Sequence, residues 1–164
     1  MALISEFNLY DDVSAALVKQ IKTYMPQVTV RPESVKHFTP DYPYVTYKIY
    51  DDYDRVLFNT VNEEIFDIHV QFKAVSNDEG EAKTLGHELR KLFFLQQPAY
   101  ELFQQHIVAK DCNTIPSTDT FLDVDWQFMS GADYTFGVQD NFTDETQTGS
   151  IASVDPQINT KGAE

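Results

Sequence analysis

Phe66-Asp67-Ile68-His69-Val70-Gln71-Phe72-Lys73-Ala74-Val75, followed at once by Ser76-Asn77-Asp78, is the stretch whose reading decides the fold. Phe66, Ile68, Val70, Phe72 and Ala74 fall on one side of it, and Asp67, His69, Gln71 and Lys73 on the other. Alternation of this kind marks a strand with one buried and one wet face, because successive side chains leave the pleat in opposite directions. Ser76-Asn77-Asp78 supplies turn and cap chemistry. Apolar residues then recur at Ala82, Leu85, Leu89 and Leu92, the spacing of one helix face. A strand running straight into an amphipathic helix sets the fold class.

Upstream, Asn8 or Asp11 can cap a first helix whose apolar line is Val13, Leu17, Ile21 and Tyr24, with Ala16 and Gln20 beside it and Pro26 ending it. Val28-Thr29-Val30 reads as a short strand edge. Residues 31–43 hold three prolines and read as a loop. Tyr44-Val45-Thr46-Tyr47-Lys48-Ile49-Tyr50 has the β-branched and aromatic content of a strand, with Pro43 at its start. Asp51-Asp52-Tyr53-Asp54 reads as a polar connection, and residues 55–61 as an extended arm or hairpin.

Downstream, Pro98 suits the first turn of a short helix reaching about His106. Residues 107–115 predict a strand ended by Pro116-Ser117. A second alternation follows, with Leu122, Val124, Trp126 and Phe128 facing one way and Asp123, Asp125 and Gln127 the other. Ser130-Gly131 offers a turn, and Ala132, Tyr134, Phe136 and Val138 repeat the pattern on a returning strand. Beyond Phe142 the chain becomes polar, with Ile151, Val154 and Ile158 as its only large apolar residues. The expectation is an α+β domain over residues 1–142, a mostly antiparallel sheet of four to six strands with two main helices packed on one face. A polar C-terminal arm, residues 143–164, completes it.

Composition narrows the function classes. The chain has 164 residues, 42% of them hydrophobic, enough to bury a core. Twenty-six acidic against 12 basic residues give a formal net charge of −14, which argues against tight nucleic-acid binding and against an anionic membrane as partner. A single cysteine, Cys112, cannot close an intramolecular disulfide, so the expected compartment is reducing. The first residues lack a basic and apolar export signal, and no stretch has the length of a membrane span, so the chain is expected to be made in the cytoplasm.

Constellations that carry chemistry are missing from the sequence. The six glycines form no phosphate loop, and His37, His69, His87 and His106 show no metal-ligand spacing. Asp51, Asp52 and Asp54 open like a Ca²⁺ loop but lack its glycine and closing glutamate. Asp123 and Asp125, two apart on a strand, would point the same way, and a solvated strand face explains them better than a cation site. Tyr42, Tyr44, Tyr47 and Tyr50 lack the basic groove of a single-strand stacking platform, and read as core and interface residues. No catalytic residue, cofactor or metal is expected.

Several segments resemble the tail terminator or neck proteins of long-tailed bacteriophages, in particular the neck-terminator group. They are Tyr42-Pro43-Tyr44-Val45-Thr46-Tyr47, the strand and helix described first, and Ala132-Asp133-Tyr134-Thr135-Phe136-Gly137-Val138 with the threonine-rich stretch leading to Ile151 and Val154. The likeness runs from about Tyr10 to Val154, and the acidic, aromatic region 50–58 departs from it. It implies a structural virion protein that forms a homo-hexameric ring on the last ring of the tail tube protein, stops tube growth and docks to the head-tail connector protein. Genome DNA would pass through the ring without specific binding, and the location would be the neck of the virion. On this reading the interface candidates are Tyr44, Tyr47, Tyr50, Asp67, His69, Gln71, Lys73, Asp123 and Asp125, and the assembly arm carries Thr143, Ile151 and Val154. The competing readings are another tail-completion or head-closure component, a monomeric protein-binding module, and a small metal enzyme using Asp123, Asp125 and His69.

Overall fold

The computed structural model describes residues 8–34, 41–58, 61–122 and 125–144. In chain order these form helix α1 (Leu9–Tyr24), strands β1 (Thr29–Pro32), β2 (Tyr44–Arg55) and β3 (Ile65–Ser76), helices α2 (Glu79–Leu92) and α3 (Gln96–Phe103), and strands β4 (Ile107–Leu122) and β5 (Asp125–Gln139). The five strands make one sheet in the order β1-β2-β3-β5-β4. Only the β1–β2 pair is parallel, so the fold is α+β with a mostly antiparallel sheet, as the sequence predicts.

β3 lies at the centre because its sequence can bury a whole face. Phe66, Ile68, Val70, Phe72 and Ala74 are all buried, and pairing with β5 sets Ala132, Tyr134, Phe136 and Val138 beside them. Against these pack Val13, Leu17 and Ile21 of α1, Leu85, Leu89 and Leu92 of α2, and Leu102 of α3, so three helices feed the core. Each such side chain contributes roughly 1.5–3 kcal/mol of burial. The centre is aromatic: Phe93 meets Tyr134 at 5.1 Å and Phe136 at 5.3 Å, both edge-on. The Tyr134 hydroxyl donates to the Leu89 carbonyl at 2.7 Å, which satisfies its one polar atom inside the core.

Local chemistry fixes the helices. Asp78 caps α2, its Oδ1 accepting from the Glu81 amide at 2.7 Å. Ser76 Oγ holds the Asp78 amide at 3.0 Å and bonds the Glu81 carboxylate. α2 presses against β5 at Gly86. There Arg90 reaches across to donate to the Gly131 carbonyl at 3.1 Å and to Ser130 Oγ at 2.9 Å. Gln20, buried on α1, donates to Glu101 at 2.8 Å and ties α3 to α1.

Five expectations are corrected. Asp51-Asp52-Tyr53-Asp54 is not a connection but the second half of β2, paired to β3 through two register shifts. β1 runs on through Arg31 and Pro32, which were expected in a loop. Pro116 does not end β4, because the strand shifts register between Ile115 and Thr118 and continues to Leu122. Ser130-Gly131 is strand interior, with Ser130 opposite Ala74 and Gly131 opposite Lys73; the hairpin reverses instead between the paired residues Leu122 and Asp125. Tyr24, placed on the buried line of α1, is exposed.

Candidate assembly surfaces

The polar face of β3 carries four of the expected interface residues, and each is half-buried. Asp67 accepts from Lys110 of β4 at 2.6 Å, and Lys73 donates to Glu33 at 2.7 Å. His69 lies between Thr135 Oγ1 at 3.1 Å and the Asp54 carboxylate at 3.8 Å, with the Tyr50 ring 5.9 Å away. Gln71 lines a small depression with Lys73, Ile115 and Met129. The face is therefore a lattice of cross-strand partners, joined by residues far apart in sequence. Glu33 and Lys110, which complete it, carry no periodic signal and were not anticipated.

The three candidate tyrosines of β2, Tyr44, Tyr47 and Tyr50, do not share one surface. Tyr44 is buried, with its ring stacked on Tyr42 at 5.7 Å and both hydroxyls accepting from Gln127. Tyr47 is opposite Phe72 and packs against the core. Tyr50 is exposed and donates to the Asp133 carboxylate at 2.8 Å. Burial pushes the Tyr44 and Tyr47 hydroxyls above the ordinary tyrosine value. Partial burial and then the bond to Asp133 raise Tyr50 to about 12, since ionisation would set two negative charges side by side.

Of the acidic pair expected at Asp123 and Asp125, one residue falls within the described structure. Asp125 opens β5 opposite Leu122, and Asp123 lies outside the described residues. Thr143 is exposed just past β5, while Ile151 and Val154 also lie outside the described residues. The last described residues continue the course of β5 beside the residues that lead into β3, the Glu63 amide donating to the Phe142 carbonyl and the Asp144 amide to the Asn62 side chain. Cys112 is half-buried, and burial raises its thiol above its usual value. Among the described residues no three His, Cys, Asp or Glu side chains are grouped to hold a metal ion, and no helix is long and apolar enough to cross a membrane.

Two apolar surfaces are exposed; the first lies on the segment expected as an extended arm or hairpin, and the second escaped the sequence reading. One is the end of the β2–β3 hairpin, where Val56, Leu57, Phe58 and Val61 all face solvent. The other is the corner between α2 and α3, with Phe94, Leu95, Tyr100 and Phe103. The run Val56-Leu57-Phe58 was the available signal, because a loop with three consecutive large apolar residues violates the usual polarity of a turn. Between the two surfaces lies a cleft of about 610 Å³ lined by α1, Glu63, the α3–β4 turn and the end of β5. Glu63 and His106 at its rim adopt positive φ, 48° and 60°.

A model of the phage neck terminator protein family matches residues 11–163. The chain belongs to that family. It is a structural protein of the bacteriophage neck, placed in the virion, and its partners are other components of the phage head and tail. No protein with a curated description matches the chain.

Proposed function

We propose that this neck terminator assembles as a homo-hexameric ring on the last ring of the tail tube, halts its polymerisation and presents the surface onto which the head connector docks. The family match supports placement at the neck, and the observation that carries the ring is the pair of separate, exposed apolar surfaces on one subunit. A subunit that binds on two different sides needs two such surfaces, and a monomer gains nothing from either. The net charge of −14 suits a passage through which DNA moves without sticking. The bond lattice of Asp67, His69 and Lys73 gives the ring a rigid wall, and residues 143–164 supply an arm that reaches a neighbour. The role is structural, with no chemistry performed on the DNA or on the partners.

The test is tube assembly in vitro. Purified tube protein of the same phage is polymerised with and without the neck terminator, and lengths are measured by electron microscopy. Tubes that stop growing and carry a sixfold cap at one end are expected. Equal tube lengths with and without the protein, and bare ends in both, would overturn the proposal.

A further inference from the structure

We infer that neighbouring copies of this chain join head to tail, with Val56, Leu57 and Phe58 at the hairpin end of one copy seated on Leu95, Tyr100 and Phe103 of the next. The inference rests on the ring reading above and names the contact that would build it. Phe58 is 87% exposed and Phe103 is 65% exposed, values that leave large apolar area in water on an otherwise well-packed domain.

Position is the first argument. The hairpin extends from β2 and β3, whereas α3 packs beside the edge strand β4, and β5 and the cleft that Glu63 and the α3–β4 turn both line stand between them. Two different surfaces on one subunit make a heterologous contact, the kind that repeats from copy to copy and forms a ring when its rotation closes.

Charge is the second. Residues 51–64, at the hairpin end, carry Asp51, Asp52, Asp54, Glu63 and Glu64 against the single cation Arg55, so two hairpin ends meeting each other would bring like charges together. The corner offers the opposite. Residues 92–100 contain no carboxylate, and the exposed Lys91 precedes them. The one acid of α3, Glu101, accepts bonds from Gln20 at 2.8 Å and Gln97 at 2.9 Å, and these hold its carboxyl below the usual range and aimed along α1. Gln104 caps the Tyr100 hydroxyl at 3.0 Å, which fixes that ring in place. On a chain this acidic, a neutral to basic apolar face is where an acidic apolar tip can land. The occupant is a second copy.

Sedimentation velocity of the full chain over a wide concentration range tests the contact, using Phe58→Asp and Phe103→Asp separately and mixed. Both positions are exposed, and circular dichroism confirms that the variants fold. Wild type should associate, and each variant alone should need at least ~10-fold higher concentration, the effect expected when an aromatic anchor is lost. Mixed in equal amounts they should form a dimer and stop there, since only one intact tip and one intact corner remain per pair. Lys91→Glu should weaken wild-type association as well. The inference falls if either variant associates like wild type, if Phe103→Asp alone forms dimers through its intact tips, or if wild type stays monomeric throughout. Tube assembly keeps the two proposals apart: tubes capped by rings of both variants would sink this contact alone, whereas variant-sensitive rings that leave tube length unchanged would sink the terminator role alone.

Discussion

Gly86→Ala should destabilise the protein, although glycine to alanine inside a helix ordinarily gains about 0.5–1 kcal/mol. A Cβ at Gly86 would stand 2.2 Å from Ser130 Oγ, 2.7 Å from Ser130 Cβ and 3.0 Å from its carbonyl carbon. Either α2 lifts from β5 or Ser130 moves, and moving Ser130 breaks its bond from Arg90 at 2.9 Å. Overpacking of this kind costs roughly 1–3 kcal/mol. Loss of a hydrogen bond from a charged donor adds about 1.5–3 kcal/mol. The two overlap, because relief of one worsens the other, and the helix gain offsets part. A net loss of about 2 kcal/mol follows. Urea unfolding should show a lower midpoint with an unchanged slope, and Tm should fall by about 4–8 °C for a chain of this size. Ser130→Gly removes both clashing side-chain atoms, so the double variant should recover about 1 kcal/mol relative to additivity in a double-mutant cycle. Equal or greater stability of Gly86→Ala would refute the close approach of α2 and β5 from which the estimate is built.

Asp78→Ala removes the side-chain acceptor at the start of α2 and should cost about 1 kcal/mol, read from urea unfolding. Leu89→Ala, at a fully buried position beneath Tyr134, should cost roughly 2–5 kcal/mol by the same measurement. Partial burial and the bond to Asp133 raise the Tyr50 hydroxyl to about 12 from its ordinary 10.0, so the neutral hydroxyl contributes stability that is fully present below pH 10 and lost as pH rises through the folded value. The stability gap between wild type and Tyr50→Phe should therefore close as pH is taken from 10.0 towards 12, and a gap that widens would contradict the assignment.

What the sequence revealed, it revealed through periodicity. β3 and α2 each bury one continuous face, so the alternation from Phe66 to Ala74 and the spacing from Ala82 to Leu92 carried the whole signal. The second half of β2 had no such signal, because its residues are exposed and their backbone pairing with β3 is indifferent to side-chain polarity. Pro116 looked like a terminator, yet β4 is an edge strand, and proline is accommodated at the bulge between Ile115 and Thr118. Gly131 looked like a turn residue. Its glycine is required for a different reason, since a Cβ there would lie 2.2 Å from the Phe72 carbonyl of the adjacent strand. The bond lattice of the polar face joins residues distant in sequence, such as Lys110 and Asp67, 43 positions apart, and no local pattern encodes that.

The same lattice bears on where binding energy can come from. Asp67, Lys73 and Tyr50 already spend their polar groups on partners within the subunit. A neighbour that displaced those partners would exchange one hydrogen bond or ion pair for another, a trade worth little at a wetted surface. The hairpin end and the α2–α3 corner have no such internal claim on them: Phe58 and Phe103 lose water only when something covers them. At about 25 cal/mol per Å² of apolar area removed from water, covering a few such side chains outweighs rearranging the polar lattice. A ring built from this subunit should thus be held by its apolar ends and shaped by its polar face. Substitutions on the face, such as His69→Ala, would then change ring geometry or salt response more than ring stability, whereas charges placed on the ends would abolish the ring.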